Sequence, residues 1–135
     1  MFDTKIVIVI RDDLQPWQKM NAVAFLTSGV VGQYPNILGD DYVDAKEHRF
    51  NPLVVQPMIV LKATSSVLTN IHNRSISRNV KTSVFIEEMF TTAHDEENRE
   101  AFRQYAPDDA KLVGIALRAE KKVADKIIKG AKMYS

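Results

Sequence analysis

Several residues in this chain have types and spacings that could do chemistry. Arg11, Asp12 and Asp13 end an apolar run, and Lys19 and Asn21 follow within two helical turns. Lys62 closes a second apolar run, and Glu87 and Glu88 close a third. Cations and carboxylates gathered on one rim could bind an anion, or could orient water against an ester with a carboxylate as general base. In that case Lys19, Glu88 and Asp13 are the catalytic candidates, and Arg11, Asn21 and Lys62 the ligand contacts. The ordinary reason for charge at a strand end is that the strand has reached water. Asp44 and His48, with Asp40 and Asp41 nearby, could supply metal ligands, an acid–base pair or further ligand contacts. The commoner use of that pattern in an irregular segment is a hydrogen bond that staples a loop. Asn21 is the polar residue of an apolar stretch, so it is either a ligand contact or a buried amide tying down the loop around residues 40–44. His72 and His94 fall in stretches that read as exposed, and neither receives a role.

Other chemistries are excluded by what the chain lacks. It has no cysteine, which removes disulfides, thiolate zinc sites and cysteine nucleophiles. Ser28 sits in Thr27-Ser28-Gly29, which is not the Gly-x-Ser-x-Gly elbow of α/β hydrolases. No phosphate-binding Walker loop or dinucleotide glycine fingerprint occurs. No cofactor and no metal is therefore assigned.

These residues need a scaffold, and the hydrophobic pattern supplies one. Ile6 to Ile10 is an unbroken β-branched run without polar alternation, the pattern of a strand covered on both faces. Pro16 suits the first turn of a helix, and Met20, Val23, Ala24, Thr27 and Val30 follow at helical spacing. Ala22, Phe25 and Leu26 fill the opposite face, which predicts burial on more than one side, with Gly29 or Gly32 closing the helix at positive φ. Residues 34–56 are broken by Pro35, Gly39 and Pro52, with a weak strand signal over residues 50–55. Strands follow at residues 58–62, 82–86 and 112–117. Gly114 in the last of these marks close approach by a neighbour. Helices are predicted over residues 64–78 with Thr64 as N-cap, over 95–105 showing Phe102 and Tyr105 to the body, and over 120–132. The alternation predicts one domain over residues 1–135, an α/β/α sandwich of three layers with a mixed, mostly parallel sheet of about four strands.

A chain of 135 residues buries enough surface to fold without staples. The opening MFDTK lacks the basic region and apolar core of a signal peptide, and no apolar segment reaches the ~20 residues that span a bilayer. The expectation is a cytoplasmic protein with no membrane association. The net charge of +1 sets up no strong field towards nucleic acid. Charge is uneven, however: −6 over residues 87–109 and +4 over residues 116–135. Such asymmetry marks either a binding face or simply the helices that meet water.

The first stretch, KIVIVIRDDLQPWQKMNAVAFLTSG, resembles the opening of type II peptidyl-tRNA hydrolases, and LVGIALRAEKKVADKIIKGAKMY resembles their last strand and helix with a basic tail closing on an aromatic. A closer resemblance is to a domain-of-unknown-function family, number two thousand, that shares that fold. Its pattern is matched by Asn21, Gly39, Asp40, Asp44, His48, Pro57, Leu61, Lys62 and Ala63. The resemblance implies the peptidyl-tRNA hydrolase type II architecture. The hydrolases' Gly-Lys pair, Ala-Ala-Gln run and His correspond here to Lys19-Met20, Val23-Ala24 and Thr27. Their Gly-Arg-Thr segment is replaced by residues 89–93.

The favoured function is therefore binding of a small molecule or a protein partner at the carboxyl edge of the sheet. A peptidyl-tRNA hydrolase-like esterase with altered catalytic residues is the alternative. tRNA is compatible as a partner but not favoured, and homodimerisation is expected because two-fold dimers are the commonest oligomer.

Overall fold

The computed structural model describes residues 2–134. In chain order its elements are β1 (Thr4–Arg11), α1 (Pro16–Gln33), β2 (Tyr42–Val43), β3 (Arg49–Phe50), β4 (Met58–Ala63) and α2 (Ser65–Ser77). They continue with β5 (Ser83–Ile86), α3 (Asp95–Arg103), β6 (Leu112–Glu120), α4 (Lys121–Ile127) and β7 (Lys132–Met133). A five-stranded mixed sheet in the order β5-β6-β1-β4-β7 forms the centre, and β2 and β3 make a separate two-stranded ribbon.

β1 is the middle strand, and Ile6 to Ile10 are fully buried, as an unbroken Val/Ile run requires. β1, β4 and β5 run in one direction and β6 runs against them. Adjacent strands nonetheless pair in parallel only at β1–β4, because β6 inserts between β5 and β1 and a fifth strand, β7, adds at the edge. Hydrophobic runs fix which segments are strands but not their lateral order, so the sheet is mixed as expected, but three of its four strand pairings are antiparallel rather than most being parallel.

α1 covers the front face, packing Ala22, Leu26 and Val30 on Ile6, Ile8, Ile10 and Val113. α2 and α4 cover the back, packing Leu68, Ile71, Ala124 and Ile127 on Val7, Val9, Ile115 and Leu117. This asymmetry has a geometric consequence. Five strands span roughly 19 Å, whereas one helix is only ~10 Å across. α1 lies over β6, with β5 and β1 beside it, so both flanks of the front face stay open.

The expected all-round burial of α1 does not occur. Trp17, Met20 and Phe25 are 58%, 69% and 59% exposed. Nor do its glycines end it: the helix runs on to Gln33, and Gly29 lets α1 approach β5, where an added Cβ would clash with Ser83. Gly114 behaves as expected, since a Cβ there would meet Ile10, Leu26 and the Val9 carbonyl oxygen. α2 starts at its predicted cap, with Thr64 Oγ1 accepting from Val67 N at 3.3 Å. The last helix is shorter than its amphipathic pattern suggests. It ends at Ile127, the chain turns at Gly130 (φ 98°), and Lys132–Met133 returns as β7 on β4. The strand expected over residues 50–55 reduces to Arg49–Phe50 and one bridge between Leu38 and Val54, since Pro52 interrupts it. No described helix is long and apolar enough to cross a membrane.

Candidate functional site

Arg11 ends the central strand and is almost enclosed. Its Nε donates to Asp13 Oδ1 at 2.6 Å, and its Nη1 donates to Glu87 Oε2 at 2.7 Å and to the Leu112 carbonyl oxygen at 2.9 Å. That carbonyl is turned towards Arg11 at a register shift in the β5–β6 ladder. Burial lowers the Arg11 pKa, but the bonds to Asp13 and Glu87 outweigh it and raise the group above its ordinary value. Arg11 thus ties β1, β5 and β6 together at their common edge, and its position is that of a clamp.

The open flank beside β4 holds a different arrangement. The register places Ile10, Lys62 and Lys132 side by side on the front face. Lys62 Nζ lies 5.9 Å from the centre of the Tyr134 ring, and Lys19 Nζ, reaching from α1, lies 5.5 Å from it. Lys19 and Tyr134 line a cavity of about 410 Å³ with Ile10, Pro16, Met20, Val23 and Val60, and Lys62 approaches it through the Tyr134 ring. None of the three lysines has a carboxylate of the described residues within ion-pair distance. Lys62 directly opposite Lys132 is a like-charge pair, which costs stability unless an anion lies between. Burial, and secondarily Asp12, raise the Tyr134 pKa, so its hydroxyl remains a hydrogen-bond donor.

Across α1 lies a second cleft, of about 440 Å³, which contains Asn21. Asn21 is exposed on α1 one turn from both Trp17 and Phe25, so its amide is not the buried tie to residues 40–44. Trp17 meets Phe90 edge-on at 5.5 Å, Phe90 meets Phe85 at 5.0 Å, and Phe85 meets Phe25 at 5.9 Å.

The remaining candidates stand apart. Glu88 Oε2 accepts the Tyr105 hydroxyl hydrogen bond, and its Oε1 is buried without a hydrogen-bond partner. The bond to Glu88 raises the Tyr105 pKa. β5, which leads to Glu88, is three strand spacings from β4, roughly 14 Å from the strand of Lys62. Lys19, Glu88 and Asp13 are therefore engaged by three different partners: the Tyr134 ring, Tyr105 and Arg11. Asp44 and His48 lie on the exposed ribbon, which is rooted at the opposite end of the sheet through Gln56 Nε2 donating to the Thr4 carbonyl oxygen at 3.2 Å. Asp44 Oδ1 accepts from Lys46 N and His48 N, and its Oδ2 lies 2.9 Å from His48 Nδ1. These bonds lower the Asp44 pKa and form a loop staple. Among the described residues no cluster of His, Asp or Glu could hold a metal ion.

Tyr134 and Lys132 were not singled out as site residues in the sequence. The signal for them was the basic tail closing on an aromatic, although helical periodicity assigned Lys132 to the last helix. His72, read as exposed, is 7% exposed, with Nδ1 lacking a partner.

With this geometry in place, the comparisons with known proteins bear on the whole chain. Residues 4–135 match the family described as Protein of unknown function (DUF2000), and the chain belongs to that family. A solved structure of a protein of unknown function, Atu0240 from Agrobacterium tumefaciens str. C58, is 50% identical over 100% of both chains, with a TM-score of 0.98. No curated protein matches the chain.

Proposed function

We propose that this member of the DUF2000 family binds a small amphipathic anion in the cavity between α1 and β4, at the carboxyl edge of the sheet. The carrying observation is that Lys19 and Lys62 converge on one Tyr134 ring above an apolar floor, with Lys132 opposite Lys62 and no described carboxylate paired to any of them. The apolar body of the ligand lies on Met20, Val23 and Val60. Its carboxylate or phosphate takes the ammonium groups, where a charge-assisted contact is roughly twice as strong as a neutral one. Asn21, Arg11, Asp44 and His48 do not belong to this pocket. Binding is preferred over ester hydrolysis because Asp13 and Glu88 are committed to Arg11 and Tyr105.

The same proposal includes the peptidyl-tRNA hydrolase type II architecture and one domain over the whole chain. The two stretches that resemble those hydrolases form β1 with α1 and β6 with α4, and the adjacency of β1 and β6 supports that reading. It also includes a cytoplasmic homodimer. The β2–β3 ribbon exposes Tyr42, Val43, Phe50, Leu53 and Val55, and a two-stranded ribbon alone is marginal in water. Light scattering at micromolar concentration should give twice the monomer mass; a monomer that keeps its ribbon protected from hydrogen exchange would remove the dimer from the proposal.

Thermal-shift titrations with phenylacetate and with neutral phenylacetamide test the site. Phenylacetate should raise the melting temperature saturably, and Lys62→Met should abolish the rise. Equal stabilisation by the amide, or an unchanged response in Lys62→Met, would sink the reading.

A further inference from the structure

The cleft on the other side of α1 has a different chemistry and a different occupant. We infer that it is a binding site for a small organic cation, an alkylated or primary ammonium group held against aromatic faces. Its wall is built from Trp17 and Phe25 of α1, Phe85 of β5 and Phe90 of the turn that follows β5, in an unbroken chain of ring contacts. Such faces carry negative quadrupole potential and attract a desolvated ammonium. The volume of about 440 Å³ lies within the range of sites that take small ligands.

Charge points the same way. Among the described residues that line this cleft, Asp95 is the one carboxylate, and no lysine or arginine is present. Asp95 opens the acidic first turn of α3, with Glu96 and Glu97 beside it, inside the segment of net charge −6. Arg99 pairs with Asp95 at 2.7 Å, but both side chains are exposed, and a solvated pair of this kind is weak and exchangeable. Asn21, between Trp17 and Phe25, adds an amide oxygen that accepts a hydrogen bond from an ammonium N–H or a ligand hydroxyl. Aromatic walls, an amide acceptor and a carboxylate whose exposed pairing with Arg99 a ligand cation can replace, with His94 the other titratable group of the lining, select for positive charge and against the anions of the opposite flank.

The chain contains one tryptophan, Trp17, so its emission reports on this cleft directly. Titration with choline should change that emission saturably. The uncharged isostere 3,3-dimethylbutan-1-ol should bind about tenfold more weakly, because it fills the same volume without the charge. Asp95→Asn, an exposed substitution that leaves the fold intact, should weaken choline severalfold, as should Phe90→Leu, while Lys62→Met should leave choline unaffected. Equal affinity for the neutral isostere, failure to saturate, or an unchanged response in both cleft variants would overturn the inference. Trp17 emission that shifts on simple dilution would also overturn it, by showing that a second copy occupies the cleft.

Discussion

The two clefts flank α1 on one face of the sheet, share no lining residue, and differ in everything that gives selectivity. Both exist because one helix cannot roof five strands, and both rest on front-face residues buried by the same helix. On the β4 side the sheet itself supplies the polar groups: register brings Lys62 beside Lys132, and the tail adds Tyr134. On the β5 side the polar groups come from α3, where acidic residues in a first turn are favoured by the exposed N–H groups of the helix. The apolar floor is thus a property of the fold, while the sign of each pocket follows from which element closes it. One side of α1 is suited to anions and the other to cations.

The largest expected effect breaks the anionic side alone. Lys19→Glu with Lys62→Glu should weaken phenylacetate about a hundredfold, since both charges reverse in a partly desolvated pocket, and should leave choline binding unchanged. Isothermal titration of both ligands checks this; a matching loss of choline would mean that the clefts are not separate sites. Gly114→Ala comes next and damages both sides. The new Cβ would lie 2.7 Å from Ile10 Cδ1, 2.8 Å from Leu26 Cδ1 and 3.0 Å from the Val9 carbonyl oxygen, so the Ile10 and Leu26 side chains must repack beneath α1 and β6 must ease from β1. A loss of about 2 kcal/mol in urea unfolding is expected, with both ligands weakened. Gly29→Ala should discriminate between the clefts. Its Cβ would press on Ser83 Oγ and lie 2.9 Å from Ser83 Cβ, and a new Ser83 rotamer relieves only the first, so β5 must move away from α1. Alanine returns about 1 kcal/mol of helix propensity, so the net loss should be about 1 kcal/mol, with choline affinity falling and phenylacetate affinity holding.

Much of this was legible in the sequence, for identifiable reasons. An unbroken run such as residues 6–10 has few homes other than a central strand, and Thr64 before an apolar stripe reads directly as a cap. What failed depended on lateral order or on what covers what. Met20 and Phe25 read as core because periodicity records apolarity, not the width of the sheet that a helix must roof. The tail read as helix because Ile127, Ile128 and Ala131 keep helical spacing, and only the turn at Gly130 shows the reversal. Asp44 and His48 had suggestive types, but their hydrogen bonds close on themselves. Lys19 and Lys62 were read as sharing one rim with Arg11, Asp13 and Glu88; their meeting at Tyr134, apart from those three, required β7, a strand of two residues with no periodic signature.

The smallest expected effect separates the clefts from the rest of the molecule. His72 belongs to α2 on the back face, lines neither cleft, and is buried with Nδ1 unpartnered. Burial lowers its pKa below the ordinary 6.5, and Asp108, the acidic group that acts on it, opposes the shift only in part. The unfolded chain therefore takes up a proton before the folded one does as pH falls below 6.5, so this contribution to stability is present above that value and lost on acidification. His72→Phe, which fills similar space without titrating, should flatten the decline of melting temperature below pH 6.5. If the variant kept the full decline, the acid sensitivity would have to arise elsewhere, and the ligand-induced shifts at low pH could no longer be attributed to the clefts. Measured well above pH 6.5, where His72 is neutral in both states, the phenylacetate and choline shifts report on the front face alone.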